Sequence, residues 1–289
     1  MMNLAFFGLG NMGFPIAANL LKHGHAVTSA VHRSRESALR LEALGGTIAP
    51  SPAAAVSNAE VVFTIVPDDR ALRELLLDRS MLEAMPGGSV IVEMTSASAE
   101  AVKEVTEAYA ARGVALLDAP VSGGIKGAAD GTMTMLCAGA PAVFQRVTPL
   151  LEDIAGKLCY VGAEPGQGKI IKSLNNLLHA VNKAAVGEAW RLAEAHGVDP
   201  DAFFDAISAS SGDSSALRTG FPRIQSGNYV PGFTVALMRK DVELALGLED
   251  NMTLPLAEAT RDYFRAAAPF DQEDSTAVVK VRFPDRTTG

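Results

Sequence analysis

A glycine-rich turn near the N-terminus constrains the fold more than any other stretch of the chain. Residues 4–7 form a short apolar run typical of a buried strand, and a helical pattern starts close to Pro15. A Gly-x-Gly-x-x-Gly turn in this setting is typical of a dinucleotide site, because its glycines permit a tight turn, close approach of a pyrophosphate and close helix packing. The alternative is a glycine-rich turn without a ligand. The residues predicted to bind a cofactor here are Gly8, Leu9, Gly10, Asn11, Met12 and Gly13.

The second predicted strand, residues 26–31, indicates which cofactor binds. Sites for NAD usually close this strand with Asp or Glu, whose carboxylate holds the ribose 2′-hydroxyl. Here the chain reads His32-Arg33-Ser34, and a guanidinium suits the 2′-phosphate of NADP because it can donate two parallel hydrogen bonds. We therefore predict that His32, Arg33 and Ser34 bind NADP, the preferred cofactor, with NAD as the second choice. The alternative is that the arginine is a solvated residue at the start of the next helix.

Strands and helices then alternate along the chain. Residues 61–66 and 89–94 read as buried strands, and helical patterns lie between and after them. This alternation predicts a parallel sheet with helices on both faces, which binds ligands beyond the carboxyl ends of its strands. Four residues follow those ends and are predicted to contact the nicotinamide side of the cofactor: Val66, Pro67, Thr95 and Ser96.

A further apolar strand, residues 114–118, runs into a loop that contains Ser122, Gly123 and Gly124. Two adjacent glycines let the backbone turn its N–H groups toward one point, and the serine adds a hydroxyl. The loop could hold a small carboxylate. The alternative is an ordinary turn at the end of a strand.

The longest helical pattern runs from residue 166 to residue 197 and is apolar on most of its circumference, so we expect it to be buried. Four polar residues nevertheless share one face of it, Lys172, Asn176, His179 and Lys183. A buried lysine must be paired, or have its pKa lowered, or line a cleft that water enters. The alternative for Lys172 is that its stem carries the ammonium to bulk water.

The remaining sequence is helical and shows no strand pattern. The predicted fold class is α/β, with an N-terminal Rossmann-type doubly wound parallel sheet and a C-terminal all-α domain joined by the long helix. The predicted domains are a dinucleotide-binding domain at 1–162 and an all-helical substrate and oligomerisation domain at 163–289. The apolar surplus of the long helix predicts a homodimer or homotetramer.

Composition excludes several classes of function. The net charge is −8 and basic residues do not cluster, so the chain lacks the footprint of a nucleic-acid-binding protein. The two cysteines have no metal-ligand spacing, no metal site is predicted, and a disulfide framework is not expected. No apolar run is long enough to span a membrane, and the N-terminus lacks the features of a signal peptide. We expect a cytoplasmic protein without membrane or nucleic-acid partners.

The chain resembles the β-hydroxyacid dehydrogenases, which include 3-hydroxyisobutyrate dehydrogenases and reductases of tartronate semialdehyde, glyoxylate and succinic semialdehyde. Four motifs carry the resemblance, namely the turn Gly8–Gly13, the run Asp118-Ala119-Pro120-Val121-Ser122-Gly123-Gly124, the run Gly166-Gln167-Gly168 with Lys172 and Asn176, and the pair Lys240-Asp241.

The resemblance implies a role for each matching residue. Lys172 would be the general acid and base, and Asn176 would contact the substrate. Ser122 would serve catalysis and, with Gly123 and Gly124, would bind the substrate carboxylate. Phe233 would line the substrate site and Lys240 would lie near the cofactor.

The predicted function is hydride transfer between NAD(P) and a small 3-hydroxy acid or its semialdehyde, as in 3-hydroxyisobutyrate dehydrogenases. The alternative within the class is reduction of glyoxylate, tartronate semialdehyde or succinic semialdehyde. Imine reductases share the fold but typically lack the lysine at the position of Lys172. The alternative from another class is an NADP-binding sensor or scaffold without turnover, whose relatives tend to lose that lysine.

Overall fold

The computed structural model describes residues 2–31, 35–249 and 251–281. Two compact units divide the chain between Lys172 and Ser173, within the long helix. The sequence boundary at 162/163 stays a prediction. Within the described ranges, no helix is long and apolar enough to cross a bilayer.

The first unit is built on one sheet. Its strands are β1 (Asn3–Phe7), β2 (Ala26–Ala30), β3 (Thr47–Ala49), β4 (Val61–Thr64), β5 (Val90–Glu93), β6 (Ala115–Asp118), β7 (Val121–Ser122), β8 (Met133–Ala138) and β9 (Ala155–Gly162). They lie in the order β3-β2-β1-β4-β5-β6-β8-β7, and β9 pairs with β8. The first six strands of this order, from β3 to β6, are parallel to one another, which is the arrangement of a doubly wound nucleotide-binding sheet.

Helices cover this sheet and then take over the chain. They are α1 (Gly13–Lys22), α2 (Arg35–Ala43), α3 (Pro52–Val56), α4 (Asp69–Leu76), α5 (Arg79–Ala84), α6 (Ala99–Ala110), α7 (Gly124–Asp130), α8 (Pro141–Leu151), α9 (Gln167–Ala195), α10 (Pro200–Ser208), α11 (Ser215–Ser226), α12 (Val235–Leu246) and α13 (Pro255–Ala266). Two 3₁₀ helices, Ala268–Phe270 and Ser275–Lys280, follow α13.

The burial of side chains in β1 shows that both faces of the sheet are covered. Leu4 and Phe6 belong to one apolar cluster, whereas Ala5 and Phe7 belong to another. Because successive side chains of a strand point to opposite faces, the two clusters are the cores on the two sides of the sheet. The second unit has its own apolar core, which includes Val235, Val242 and Phe264.

The predicted fold class is confirmed, with two differences. The sequence predicts a parallel sheet, but β8 runs antiparallel to β6 and β7, so the sheet is mixed at this side. The long helix is present as α9, but it is not buried all round as predicted. Leu174, Leu178 and Leu192 are 41%, 66% and 67% exposed, so part of its apolar surface is uncovered in a single chain.

Candidate active site

The glycines of the turn between β1 and α1 combine a close approach of helix and strand with open space. A Cβ added to Gly13 would lie 1.9 Å from the carbonyl oxygen of Gly8 and 2.7 Å from Cγ2 of Ile65, so only glycine lets α1 start this close to the strands. A Cβ added to Gly10 would meet no heavy atom within 4 Å. The turn therefore leaves open space beside Gly10 at the N-terminus of α1, where helix N–H groups favour an anion. These residues fit a dinucleotide.

The residues predicted to choose between NADP and NAD follow β2 in the chain. His32, Arg33 and Ser34 lie outside the described residues. The strand that leads to them, β2, is parallel to β1 and pairs with it directly. Its carboxyl end is therefore at the same edge of the sheet as the glycine turn.

The ends of β4 and β5 are joined by a hydrogen-bonded chain. The hydroxyl of Thr95, which is fully buried, accepts a hydrogen bond from the N–H of Val66 at 3.0 Å. The N–H of Thr95 donates to Oε1 of Glu93 at 2.8 Å. Two of the predicted nicotinamide-side contacts, Val66 and Thr95, are thus held together, and Pro67 and Ser96 follow them directly in the chain.

The predicted carboxylate loop follows β6. Ser122 ends the short strand β7 and is half-buried, while Gly123 and Gly124 are exposed at the start of α7. The φ angles of the two glycines are 139° and 64°, values that residues other than glycine rarely adopt. The loop therefore has the backbone freedom that an anion nest uses, and its carboxylate-binding role stays a prediction.

The first turn of α9 is capped by a carboxylate from β6. Oδ2 of Asp118 accepts hydrogen bonds from the N–H groups of Gly166 at 2.9 Å and Lys169 at 3.1 Å, which satisfies helix N–H groups that otherwise lack a partner. A Cβ on Gly168 would lie 2.6 Å from the carbonyl oxygen of Leu136 and 2.8 Å from Oδ2 of Asp118. The second glycine of this motif therefore permits the close approach of helix and sheet, and Lys172 follows one turn later.

A buried charged cluster at this position is absent from the sequence prediction. Nζ of Lys169 lies 2.5 Å from Oε2 of Glu93 and 2.9 Å from Oδ1 of Asp118, and the three side chains are at most 1% exposed. Burial raises the pKa of Glu93, although the Lys169 ammonium opposes the rise. The sequence does contain a sign of this cluster, because each of two apolar strands ends in a carboxylate, at Glu93 and Asp118.

In the second unit, the amide of Asn176 is fixed by a buried carboxylate. Its Nδ2 donates to Oδ2 of Asp241 at 2.5 Å, and its Oδ1 accepts from Nδ2 of Asn175 at 3.0 Å. Asp241 is 2% exposed, and Nζ of Lys240 lies 3.7 Å from its Oδ1. The amide of Asn176 and the pair Lys240-Asp241 are therefore brought together, and their roles toward substrate and cofactor stay predictions.

Phe233 is positioned by a second buried lysine cluster. Its carbonyl oxygen accepts from the N–H of Ser275 at 2.7 Å. Nζ of Lys183 donates to Oγ of Ser275 at 2.6 Å and lies 3.5 Å from Oδ1 of Asp274. Burial lowers the pKa of Lys183, although Asp274 opposes this. Lys183, one of the four residues of the predicted polar face of α9, therefore binds Ser275 and Asp274 within the second unit.

Among residues 2–31, 35–249 and 251–281, no group of three His, Cys, Asp or Glu side chains is placed to hold an ion.

Comparison with known proteins gives one consistent family. A family model described as the NAD binding domain of 6-phosphogluconate dehydrogenase matches residues 3–162. A second, described as NAD-binding of NADP-dependent 3-hydroxyisobutyrate dehydrogenase, matches residues 166–282. The solved structure of a 3-hydroxyisobutyrate dehydrogenase from Mycobacterium tuberculosis with L-serine has a TM-score of 0.90 and 34% identity, covering 97% of this chain and 98% of that one.

Two curated relatives differ in the substrate that they name. A 3-hydroxyisobutyrate dehydrogenase from Pseudomonas aeruginosa is 35% identical over 94% of each chain. An L-threonate dehydrogenase from Cupriavidus necator is 34% identical over 98% of this chain and 96% of that one. Since the two identities are almost equal, they support the class of reaction and leave the individual acid to be tested.

Proposed function

The chain belongs to the β-hydroxyacid dehydrogenase family, and from this membership we propose that it oxidises a small 3-hydroxy carboxylate to its semialdehyde with NADP. It is an NAD(P)-dependent hydroxyacid dehydrogenase. The leading substrate is 3-hydroxyisobutyrate, which is the substrate named for relatives from two organisms. The same site would run the reverse reaction, reduction of the semialdehyde.

The observation that carries the proposal is the capped first turn of α9. Asp118 ends β6 and binds two N–H groups of that turn, at the sheet edge where Val66 and Thr95 follow their own strands. Parallel sheets bind their ligands at this edge. Lys172 lies one turn into the same helix and is half-buried, which is a suitable setting for a group that exchanges protons with a bound substrate.

Each oxidation moves one hydride and one proton. A nicotinamide dinucleotide held by the turn at Gly8–Gly13 would supply the acceptor for the hydride of the hydroxyl-bearing carbon. We assign the hydroxyl proton to Nζ of Lys172, which acts as general base in oxidation and as general acid in reduction. In the reductive direction its ammonium also stabilises the negative charge that develops on the carbonyl oxygen.

The other predicted residues orient the substrate. The hydroxyl of Ser122 and the backbone N–H groups of Gly123 and Gly124 are assigned to the carboxylate. Asn176 uses one amide N–H on Asp241, and the second is assigned to the substrate, because an amide nitrogen carries two donors. Phe233 would form an apolar wall of the substrate site. Lys240 would lie on the cofactor side.

Preference for NADP follows from the end of β2. The sequence closes this strand with His32-Arg33-Ser34 in place of a carboxylate, and a family model that names NADP matches the second half of the chain. A guanidinium hydrogen bond to a charged group contributes about 1.5–3 kcal/mol. We therefore expect Arg33→Ala to weaken NADPH binding about tenfold or more and to leave NADH binding within twofold. An equal loss for both cofactors would refute the assignment.

The primary experiment is a panel assay. In the oxidative direction, purified protein is mixed with 3-hydroxyisobutyrate, L-threonate or L-serine and the oxidised cofactor, NADP⁺ or NAD⁺. In the reductive direction, it is mixed with glyoxylate, tartronate semialdehyde or succinic semialdehyde and the reduced cofactor, NADPH or NADH. Absorbance of the reduced nicotinamide reports turnover. We expect 3-hydroxyisobutyrate to have the highest kcat/KM. A higher value for L-threonate would assign the second candidate function, which the Cupriavidus necator relative favours.

The role of Lys172 has a direct test. Lys172→Ala should lower kcat by about 10²- to 10⁴-fold, the usual contribution of general acid–base catalysis, while cofactor affinity is kept. Lys103→Ala, an exposed lysine of α6, is the matched control and should leave both unchanged. Wild-type turnover in Lys172→Ala would contradict the mechanism. Tight NADPH binding with silence across the panel would favour the sensor or scaffold.

Self-association is proposed from the exposed side of α9. Leu174, Leu178 and Leu192 are four and fourteen residues apart, a spacing that keeps them near one face of the helix, and all are largely exposed. Patches of this kind mark interfaces between chains. We propose a homodimer or homotetramer. Light scattering coupled to size exclusion should show at least twice the chain mass, and Leu178→Glu should reduce it; a stable wild-type monomer would refute the proposal.

A further inference from the structure

The buried cluster of Lys169, Glu93 and Asp118 is an unusual feature of the first unit. One ammonium lies between two carboxylates, at 2.5 Å and 2.9 Å, and none of the three side chains is more than 1% exposed. Nζ of Lys169 also donates to the carbonyl oxygen of Glu93 at 3.1 Å. Three donor–acceptor contacts therefore fix the position of a single nitrogen atom.

Stability alone does not account for this cluster. Desolvating charged groups costs several kcal/mol per ion, and apolar side chains of equal volume often stabilise a protein as well or better. Breaking such a cluster by removing one member is costly, because a buried charge is then left without compensation. Unlike an apolar core, the cluster forms directional hydrogen bonds. These bonds connect it to the loops that follow β4 and β5 and to the first turn of α9.

One set of bonds leads to the cofactor side. Oε1 of Glu93 accepts a hydrogen bond from the N–H of Thr95. The hydroxyl oxygen of Thr95 accepts a hydrogen bond from the N–H of Val66. The position of the ammonium is thereby coupled to the loops that follow β5 and β4. These are the loops assigned to the nicotinamide side.

The other set of bonds leads to the helix that carries Lys172. Oδ1 of Asp118 pairs with the ammonium of Lys169, and Oδ2 of Asp118 caps the first turn of α9 through two N–H groups. Lys169 and Lys172 are three residues apart, so they are neighbours on the helix surface. Any rotation or shift of this turn changes the place of Nζ of Lys172.

We propose that Lys169 is a positioning residue, whose ammonium holds the carboxyl ends of β5 and β6 against the first turn of α9 and so aligns Lys172 with the nicotinamide-side loops. The inference rests on the proposed function, since it concerns the alignment of the same reaction. Lys169 does not itself exchange the substrate proton. Burial would lower its pKa, but the charges of Asp118 and Glu93 outweigh burial and raise the pKa above its usual value, so the group stays an ammonium.

Two variants separate alignment from folding. Lys169→Met with Glu93→Gln removes one charge of each sign, keeps similar volumes and leaves Asp118 to cap α9. Lys169→Arg keeps the positive charge, but its planar guanidinium cannot place a single nitrogen between the two carboxylates. Both variants should remain folded by circular dichroism and retain the cofactor dissociation constant within threefold. Lys103→Met is the matched control.

Kinetics give the decisive readout. Both Lys169 variants should lose at least tenfold in kcat with little change in KM. The deuterium isotope effect on kcat, measured with substrate deuterated at the hydroxyl-bearing carbon, should rise, because a misaligned hydride transfer limits turnover more completely. A purely structural role would leave the isotope effect at the wild-type value. Wild-type kcat in either folded variant would overturn the proposal.

A measurement without turnover separates this inference from the proposed function. Hydrogen–deuterium exchange of peptides covering residues 164–172 should be faster in both variants than in the wild type and in Lys103→Met. Unchanged exchange would overturn the proposal even if the variants were inactive. Conversely, faster exchange in a protein that turns over none of the panel compounds would support the positioning role while the proposed function fails.

Discussion

Replacing Gly10 by alanine tests the cofactor turn in isolation from the stability of the fold. The added Cβ would meet no heavy atom of the protein within 4 Å, and Gly10 is not among the glycines with positive φ. Alanine therefore fits the turn without strain. The free energy of unfolding without cofactor should change by no more than about 1 kcal/mol, the usual range for a compatible Gly-to-Ala change.

Cofactor binding should respond quite differently. The methyl group would occupy space that the proposed pyrophosphate uses, and overpacking of one methyl group typically costs about 1–3 kcal/mol. Since 1.4 kcal/mol corresponds to a factor of ten, we expect the NADPH dissociation constant to rise roughly fivefold to 150-fold. Gly13→Ala is the contrasting variant, because its Cβ would lie 1.9 Å from the carbonyl oxygen of Gly8 and should destabilise the protein itself.

Two assays on the same samples decide the matter. Urea denaturation without cofactor gives the free energy of unfolding, and titration calorimetry with NADPH gives the dissociation constant. The expected pattern is a stable Gly10→Ala protein with weak NADPH binding and a destabilised Gly13→Ala protein. A Gly10→Ala protein that binds NADPH as tightly as the wild type would refute the placement of the pyrophosphate beside Gly10.

Three further outcomes follow from packing and charge. Gly168→Ala should destabilise the protein by about 1–3 kcal/mol in urea denaturation, because its Cβ would lie 2.6 Å from a carbonyl oxygen, whereas the control Gly247→Ala has only ordinary contacts at 3.4 Å or more. The pKa of Asp274 is lowered because a buried ammonium and backbone N–H groups outweigh desolvation. Asp274→Asn should therefore cost about 3 kcal/mol at neutral pH, and the difference should shrink as pH falls below about 4; a difference that grows in acid would contradict this. Burial raises the pKa of Cys137 to about 12, so iodoacetamide at pH 8 should label the half-buried Cys159 and spare Cys137, as mass spectrometry of the native protein would show.

Local chemistry made much of the fold predictable from the sequence. The turn at Gly8–Gly13 is predictable because its glycines meet local requirements, namely a tight turn, close approach of a pyrophosphate and close helix packing. The helix α9 is predictable because apolar residues recur at helical spacing from Ile170 to Ala185. By contrast, the direction of β8 depends on its partners β6 and β7. Because β7 has only two residues, it is too short to show a strand periodicity in the sequence.

The sequence predicts a helical second half of the chain but does not indicate the bounds of α11. The helix α11 contains both Gly220 and Pro222, residues that normally indicate a loop, and it forms because Leu217 and Phe221 pack into an apolar cluster with Phe203. Tertiary packing here overrides a weak local propensity.

The candidate site shows the same division. Lys172, Asn176 and Ser122 were found by their motifs, whereas Lys169 was overlooked although it is only three residues from Lys172. Its significance depends on Glu93 and Asp118, which are 76 and 51 residues away in sequence. No spacing rule connects residues that meet only because two strands end at the same edge of a sheet.

The buried cluster of Lys169, Glu93 and Asp118 also limits how this sequence can change over time. A single neutral substitution of Lys169 leaves two buried carboxylates without a compensating charge, at a cost of about 3–5 kcal/mol. That is a large part of the roughly 5–15 kcal/mol that keeps a typical domain folded. Descendants of this chain should therefore keep Lys169 or lose it only together with a neutral substitution of Glu93 or Asp118, so that substitutions at these positions are coupled.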